Sequence, residues 1–239
     1  MALNSMCAYT PKEQMVSNAM WFSMFNHVEG DYLEFGVATG DTFLAAYHLA
    51  QYLKRTPLHR HSRRFFGFDS FQGLPPIQGL DAEQGAPFKQ GDYAYNLTYV
   101  RKKFGRQGID WRHVTLVPGW FHDTLTQDTK QALGLSKAAI IWIDCDLYRS
   151  TVPVLQFIAD LIQDGTVIIF DDWFVFRGSP DHGEQRAFKE WLEQHHDIRA
   201  TEFARYGWHG IAFLLHRAGA GSEPNFEMAA DRSQETPVS

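Results

Sequence analysis

The chain has 239 residues, of which 44% are hydrophobic, 15% aromatic and 21% charged, values typical of a globular protein. Its 22 lysine and arginine residues against 28 aspartate and glutamate residues give a net charge of −6, which argues against nucleic-acid binding. No apolar run reaches the ~18 residues that a membrane span needs, and residues 1–11 lack the pattern of a secretory signal. Two distant cysteines, Cys7 and Cys145, fit a reducing cytoplasm, so we expect a cytoplasmic protein that contacts no membrane.

Predicted strands and helices alternate along most of the chain. Thr10-Pro11-Lys12-Glu13 has the form of a capping box with proline at the first helical position, which predicts a helix to about Asn26. The next predicted elements are a strand, a helix and two further strands, at Asp31–Val37, about Asp41 to Lys54, Arg64–Asp69 and Val114–Pro118.

Residues 139–173 form the clearest unit. Ala139–Asp144 and Thr166–Asp171 are predicted as fully buried strands, because their apolar residues run without alternation. Between them, Ser150 is predicted to cap a helix that Gly165 ends. Such a β-α-β unit predicts a parallel sheet with a right-handed crossover. A helix near Glu184–Gln194 and strands at Ile198–Phe203 and Ile211–His216 complete one doubly wound α/β domain.

Two segments depart from this alternation. Residues 70–92 are rich in glycine and proline and too long for an ordinary connection, so they are predicted to form a substrate or lid loop. Residues 218–239 are small, polar and without periodicity, which predicts a flexible tail. The domain itself is thus predicted over residues 30–217, preceded by a helical lid segment over residues 1–29.

Ligands of a doubly wound sheet lie beyond the carboxyl ends of its strands. The turn Glu34-Phe35-Gly36-Val37-Ala38-Thr39-Gly40 lets the backbone approach a ligand, but it lacks the Gly-x-Gly-x-x-Gly pattern of dinucleotide sites. It suits a ligand with an ammonium and a carboxylate group, as at the methionine end of S-adenosylmethionine. Asp69, at the end of the next strand, can accept both hydroxyls of a ribose. Each residue alone is better explained as a turn former, whereas together they favour a nucleoside ligand. Trp120 and Phe121 could flank an adenine or belong to the core.

Four carboxylates follow the two buried strands: Asp144, Asp146, Asp171 and Asp172. Because consecutive strands of this unit should be neighbours, we expect Asp144 and Asp171 to lie within a few Å of each other. Like charges so close raise each other's pKa or need a cation, and hard oxygen ligands suit Mg²⁺. The alternative is that Asp144 or Asp172 is a turn or cap residue.

Asp144-Cys145-Asp146 after an apolar strand also fits the nucleophile motif of haloacid-dehalogenase-type phosphatases. Those enzymes have a threonine where this chain has Tyr148, and they use a lysine to steady the phosphate charge. No lysine lies between Asp146 and Asp171, so the electrostatic clamp of that family is missing. A non-catalytic nucleoside-binding protein is the remaining alternative.

The chain resembles the macrocin O-methyltransferase (TylF-type) family of S-adenosylmethionine-dependent enzymes from about Tyr32 to Leu192. The matching segments are Leu33–Gly40, Phe66–Pro75, Pro118–Leu125, Ile143–Ser150, Gly165–Trp173 and Gly183–Ala187. The resemblance implies a class I methyltransferase fold, a Rossmann-like, mostly parallel seven-stranded sheet with an antiparallel last strand. It also implies Mg²⁺ held by Asp144, Asp171 and Asp172, with Asp146 as general base and Asp144 sharing the catalytic site. The acceptor expected from it is a hydroxyl group of a sugar on a small natural product.

The cofactor contacts expected from this resemblance lie in the first turn, at the start of the helix after it, and at the ends of three strands. They are Glu34, Phe35, Gly36, Gly40, Thr42, Asp69, Ser70, Trp120, Phe121 and Asp144. Ala38 stands where many methyltransferases have a middle glycine, and we expect it to adopt ordinary backbone dihedrals. An amphipathic N-terminal helix and abundant aromatic residues make a homodimer plausible.

Overall fold

The first helix begins where its capping box lies. In the computed structural model, which describes residues 10–56, 62–83, 87–217 and 226–227, helix α1 spans Pro11–Phe25. The hydroxyl of Thr10 accepts the backbone N–H of Glu13 at 3.2 Å, and the Glu13 carboxylate accepts the N–H of Thr10 at 2.7 Å. These two bonds satisfy backbone donors that a helix start would otherwise leave unpaired, so the predicted cap is confirmed.

The remaining elements include every predicted strand and helix, together with four α-helices and a short edge strand that the sequence did not predict. In chain order they are β1 (Asp31–Phe35), α2 (Asp41–Leu53), β2 (Phe65–Asp69), α3 (Leu80–Glu83), α4 (Leu97–Arg106), β3 (Val114–Pro118), α5 (Phe121–Thr124), α6 (Gln127–Leu133), β4 (Ala138–Ile143), α7 (Tyr148–Ile158), β5 (Thr166–Phe170), α8 (Gly183–Gln194), β6 (Ile198–Tyr206), β7 (Gly210–Arg217) and β8 (Phe226–Glu227). Within the described ranges, no helix combines the length and apolar character that crossing a bilayer requires. The predicted tail over residues 218–239 lies outside the described residues, apart from β8.

All strands join one sheet in the order β3-β2-β1-β4-β5-β7-β6-β8. Strands β1 to β5 pair in parallel, whereas β7 runs antiparallel to both β5 and β6. The short β8 pairs with β6 in parallel at the edge. The predicted mostly parallel seven-stranded sheet with its antiparallel last strand, β7, is therefore confirmed for β1 to β7.

Both faces of the sheet are buried, which explains the unbroken apolar runs. Tyr32 and Trp142 point to one face, where they pack with aromatic side chains of the helices on that side, Phe43 and Phe104. Leu33 and Phe35 of β1 point to the opposite face, where the other packed aromatic residues include Phe68, Phe157, Phe170 and Phe188. The central strands are thereby held between two helical layers, and their carboxyl ends form one rigid edge.

Helix α7 begins three residues earlier than the sequence suggests. Ser150 was predicted as its N-cap, which is wrong, because the helix starts at Tyr148 and the cap position, Leu147, has no capping side chain of its own. Asp81 supplies the missing acceptor from a distant part of the chain. Its carboxylate accepts the N–H of Tyr148 at 2.8 Å and that of Arg149 at 3.2 Å. The 70–92 segment is thus fastened to the start of α7.

Helix α4 has no counterpart among the predicted elements. Asn96 caps it by accepting the N–H of Thr98 at 2.7 Å, and its Val100 and Phe104 are buried. An asparagine followed by apolar residues at helical spacing was a usable signal for it. Helix α4 bears directly on the site, because its Phe104 packs against the glycine turn after β1.

Candidate functional site

The turn after β1 approaches the end of β4 so closely that a side chain is excluded. A Cβ atom on Gly36, whose φ is +90°, would lie 1.8 Å from the carbonyl oxygen of Asp144. A Cβ atom on Gly40, with φ +78°, would lie 2.2 Å from Cε1 of Phe104. Both positions therefore require glycine, for their backbone conformation and for the space around them.

Ala38, between these glycines, has a φ of +45°, so the expectation of ordinary dihedrals is wrong. A left-handed alanine costs about 1–2 kcal/mol and persists only where its surroundings fix it. The Asp69 carboxylate does so, since one of its oxygens accepts the N–H groups of Val37 and Ala38, each at 2.8 Å.

The Asp69 carboxylate accepts more hydrogen bonds from the protein backbone than its predicted role in ribose binding assumes. Its second oxygen accepts the N–H of Phe71 at 2.6 Å, and burial raises its pKa although these three donors oppose the rise. A carboxylate offers about four acceptor positions, so about one is left for a ligand. The neighbouring Ser70 hydroxyl donates to the carbonyl of Gly73 at 3.0 Å and accepts the N–H of Gln72. The side chains of Asp69 and Ser70 thus hold the backbone around the site in place through these hydrogen bonds.

A cavity of about 840 Å³ opens at this edge of the sheet. The predicted site residues that line it are Gly36, Asp69, Ser70, Trp120, Phe121, Asp144, Asp146, Asp171 and Asp172. Four other predicted cofactor contacts, Glu34, Phe35, Gly40 and Thr42, are not among its lining residues. Glu34 is buried and accepts a hydrogen bond from the Tyr32 hydroxyl, and burial together with the charge of Asp144 raises its pKa.

Phe121 fits both descriptions that the sequence allows. It lines the cavity, and its ring makes an edge-on contact with Phe35, a core residue, with 6.1 Å between ring centroids. Trp120 lines the cavity beside it and occupies the cap position of α5.

Three acidic side chains meet where β4 and β5 end. Carboxylate oxygens of Asp144, Asp171 and Asp172 all lie within 4.8 Å of one another, as expected from neighbouring strands. Oδ2 of Asp172 is buried and has no hydrogen-bond partner among the described residues. Leaving such an oxygen unpaired is costly, and a hard divalent cation would satisfy it. The donor set therefore fits Mg²⁺.

Lys12 of helix α1 reaches this cluster. Its Nζ lies 2.8 Å from Oδ2 of Asp144 and 2.7 Å from Oδ2 of Asp171. Burial by itself would lower the pKa of the Lys12 amine, but the two carboxylates outweigh it and hold the pKa above its ordinary value. Local sequence patterns place Lys12 only in the first turn of a helix, because 132 positions separate it from Asp144 and no local pattern joins them.

Asp146 lies beside the cluster in an unusual conformation. Its φ is +62° and its side chain is buried. Burial, with the charges of Asp144 and Asp171, raises the pKa of Asp146 to about 8. Burial and Asp144 also raise the pKa of Asp171 to about 6, against the opposing effect of Lys12. Close acidic groups cannot all ionise together without a compensating cation.

Two further residues, which were not among the predicted site residues, form hydrogen bonds with the cluster. Glu184, buried at the start of α8, accepts the N–H of Asp172 at 2.9 Å. Tyr206 donates its hydroxyl to Oδ1 of Asp171 at 2.9 Å. The segment Gly183-Glu184 was noted only within a matching motif, and nothing local marked Tyr206.

The other wall of the cavity comes from the 70–92 segment and the residues after it. Its polar side chains are Gln78, Asp81, Gln90 and Tyr93, and Arg149 of α7 lies beside them, with Nη1 3.3 Å from Oε1 of Gln78. Tyr93 is about half exposed, and burial followed by the charges of Asp146 and Asp172 raises its pKa. This wall therefore presents amides and a phenol opposite the carboxylates.

Comparison with known proteins identifies similar chains. The sequence model of the family described as Macrocin-O-methyltransferase (TylF) matches residues 11–206. The chain is 31% identical over 155 residues to the 8-demethyl-8-(2,3-dimethoxy-alpha-L-rhamnosyl)-tetracenomycin-C 4'-O-methyltransferase of Streptomyces olivaceus, a match covering 62% of this chain and 54% of that protein. It is 30% identical over 154 residues to the mycinamicin III 3''-O-methyltransferase of Micromonospora griseorubida, covering 62% and 57%. The matches thus span little more than half the length of these curated relatives.

The structure of the O-methyltransferase NovP is similar to this one, with a TM-score of 0.71 at 23% identity. The match covers 87% of this chain and 80% of that one, which shows a shared fold.

Proposed function

Since the chain belongs to the macrocin O-methyltransferase (TylF) family, we propose that it transfers a methyl group from S-adenosylmethionine to a hydroxyl of a small, glycosylated or polyhydroxylated molecule. The observation that carries this proposal is one cavity of about 840 Å³ lined by both the glycine turn and the acidic cluster. Such a cavity is large enough for a nucleoside and an acceptor side by side. The name of the first relative specifies a rhamnosyl group, which favours a sugar hydroxyl as the acceptor.

The cofactor is proposed to lie along the turn between β1 and α2. S-adenosylmethionine supplies an electrophilic methyl group on a sulfonium. Gly36 and Gly40 keep the turn open, Asp69 keeps its shape and offers one further acceptor position, and Trp120 and Phe121 form the wall beyond β3. Glu34, Phe35, Thr42 and Ser70 remain predicted contacts from the same turn, from α2 and from the end of β2.

A divalent cation, Mg²⁺ by preference, is proposed to bind Asp144, Asp171 and Asp172. Their oxygens lie within 4.8 Å of one another, and the unpaired Oδ2 of Asp172 supports the assignment. When bound, such a cation lowers the pKa of acceptor hydroxyls and fixes their direction. Glu184 and Tyr206 hold the ligands in place, the first through the backbone of Asp172 and the second through Oδ1 of Asp171.

Asp146 is proposed to take the proton that the acceptor hydroxyl loses. An alcohol is a poor nucleophile near neutral pH, so a base must accept its proton as the new bond forms. The Asp146 carboxylate lines the cavity beside Asp144, and its left-handed backbone places it there at a cost in strain that a functional role explains. Asp144 shares the catalytic site by lining the same space.

The phosphatase alternative is not carried forward. The similar proteins and the matching family are methyltransferases. The non-catalytic alternative predicts cofactor binding without methyl transfer to any acceptor, so it is decided by the experiment that tests the proposal.

The test begins with calorimetric titration of S-adenosylhomocysteine into metal-free protein, with and without Mg²⁺. Micromolar affinity is expected in both conditions, because Asp144 is the one member of the acidic cluster among the predicted cofactor contacts. Turnover is then measured on sugar-bearing acceptors with the wild type, Asp171→Asn and the exposed-site control Asp128→Asn. We expect Asp171→Asn to lose metal-dependent turnover while retaining S-adenosylhomocysteine binding. Absence of binding refutes the cofactor assignment, and undiminished turnover in Asp171→Asn refutes the metal assignment.

A further inference from the structure

Among the described residues, one positively charged group contacts two acids of the cluster, and that group is the side-chain ammonium of Lys12. Lys12 places its Nζ within 2.8 Å of both Asp144 and Asp171, and the side chain is about one-third exposed (36%). His209 is a weaker neighbour, because its Nδ1 donates to the backbone carbonyl of Asp171 at 2.7 Å and lies 3.6 Å from the carboxylate. Tyr206 contacts Oδ1 of Asp171, whereas Lys12 contacts Oδ2.

The ammonium group and a divalent cation need the same space. Mg²⁺ binds carboxylate oxygens at about 2.0–2.1 Å. Oxygens of the three acids lie within 4.8 Å of one another, and the Lys12 ammonium already contacts one oxygen on each of two of them. A cation bound to these oxygens would lie against the ammonium, and two positive charges in contact within a partly buried site repel strongly. Lys12 and the metal therefore exclude each other from this position.

The backbone of Lys12 is fixed while its side chain is free to leave. The residue lies in the first turn of α1, which the reciprocal bonds of Thr10 and Glu13 hold in place. Pro11, just before it, lies against the turn between β6 and β7, where a Cβ on Gly207 would come 3.6 Å from the Pro11 side chain. The four-carbon stem of a lysine can rotate away without moving that backbone. A tethered group of this kind competes at a high effective concentration.

We propose that Lys12 is an intramolecular competitor of the divalent cation at Asp144 and Asp171, and that it sets the metal affinity of the site. The inference rests on the proposed metal site. Metal binding then requires the Lys12 side chain to withdraw from the carboxylates, and the charge of the acidic pair is compensated throughout the exchange. Lys12 is in this sense a residue that determines metal affinity, and it takes no part in the methyl transfer itself.

The experiment measures metal affinity directly, without turnover. Mn²⁺ and Mg²⁺ are titrated calorimetrically into chelator-treated wild type, Lys12→Gln, Lys12→Arg and the control Lys137→Gln. Lys137 is exposed and precedes β4, at the end of the strand remote from Asp144. Removing a competitor from a partly buried site is expected to tighten metal binding in Lys12→Gln by about tenfold, which corresponds to about 1.4 kcal/mol. Lys12→Arg keeps the charge and is expected to bind metal no more tightly than the wild type, and Lys137→Gln to match the wild type.

A second measurement uses the wild type alone, so it does not depend on the folding of a variant. Acylation of lysine amines is followed by mass spectrometry as Mg²⁺ is added. Modification of Lys12 is expected to speed up as metal releases its amine, while modification of Lys137 stays constant. Equal metal affinity in wild type and Lys12→Gln, or a Lys12 modification rate unchanged by bound metal, overturns the competition while leaving the metal site standing. Absence of metal binding in every variant overturns both, and S-adenosylhomocysteine binding then shows whether the cofactor site survives.

Discussion

Replacing Asp81 by alanine tests whether the 70–92 segment is fastened to α7 through a single carboxylate. Asp81 is 1% exposed and accepts the N–H groups of Tyr148 and Arg149 at 2.8 and 3.2 Å. These are donors of the first turn of α7, whose own cap residue provides no side-chain acceptor. The substitution leaves both donors unpaired and releases the segment that forms one wall of the cavity.

The size of the effect follows from these contacts. Loss of an N-cap costs about 0.5–2 kcal/mol, and a hydrogen bond to a charged group contributes about 1.5–3 kcal/mol. Because the two bonds share one carboxylate they do not add fully, and we expect a loss of about 2–3 kcal/mol. At about 2–4 °C per kcal/mol for a chain of this length, the unfolding midpoint falls by about 4–12 °C.

The assay combines thermal unfolding with ligand binding and kinetics. Asp81→Ala is expected to raise the KM for the acceptor several-fold and to leave the affinity for S-adenosylhomocysteine unchanged, because the 70–92 segment is predicted to contact the substrate, whereas the cofactor is proposed to lie along the turn after β1. The matched control is Asp92→Ala, in the same segment, whose carboxylate accepts only the nearby N–H of Lys89 at 2.7 Å among the hydrogen bonds of the described residues. It is expected to change stability by no more than about 0.5 kcal/mol. An unfolding midpoint for Asp81→Ala equal to that of the wild type would refute the reasoning, as would an equal loss of affinity for both ligands.

Two further predictions concern the acidic cluster and the glycine turn. Because the pKa of Asp146 is raised to about 8, against about 4 in an unfolded chain, the folded state holds a proton that the unfolded state lacks between these values, so stability should fall as pH rises from 4 to 8. Unfolding midpoints in the presence of a chelator should show this fall in the wild type and a flatter profile in Asp146→Asn, and parallel profiles would contradict it. Gly36→Ala places a Cβ 1.8 Å from the Asp144 carbonyl oxygen, so it should abolish S-adenosylhomocysteine binding or folding altogether. Gly105→Ala, in a helix where a Cβ meets open space, should instead gain about 0.5–1 kcal/mol, and similar unfolding midpoints for the two variants would argue against the close approach.

The sequence predicted those parts of the structure that depend on local pattern and strand order. Unbroken apolar runs marked the buried strands, and the β-α-β unit predicted that β4 and β5 are neighbours. From that adjacency alone, Asp144 and Asp171 could be brought together before any coordinates were known. The class I sheet followed from the resemblance and is confirmed by the strand order.

Contacts between distant segments could not be predicted in the same way. Lys12 is separated from Asp144 by 132 positions, and Asp81 from Tyr148 by 67. Each looks like an ordinary surface residue in its own window, and only the packing of α1 and of the 70–92 segment gives it a role. The error at Ser150 has the same origin, because the acceptor that starts α7 comes from outside the local sequence. Helix α4 differs, since its Asn96 cap and the spacing of its buried Val100 and Phe104 form a local pattern that is sufficient to predict a helix.

The bonds between Asp69 and the turn after β1 have a consequence for the kind of nucleotide the protein can accept. Free backbone amides in the glycine-containing turn that leads into a helix, together with the helix dipole, attract phosphate groups in many α/β proteins. Here the amides of Val37 and Ala38 hold a carboxylate that belongs to the chain itself. A phosphate-bearing dinucleotide would therefore meet a resident anion where it needs donors, whereas a positively charged sulfonium nucleoside is attracted. The charge of Asp69 would thus favour the cationic cofactor proposed above over an anionic ligand, independently of how well their shapes fit.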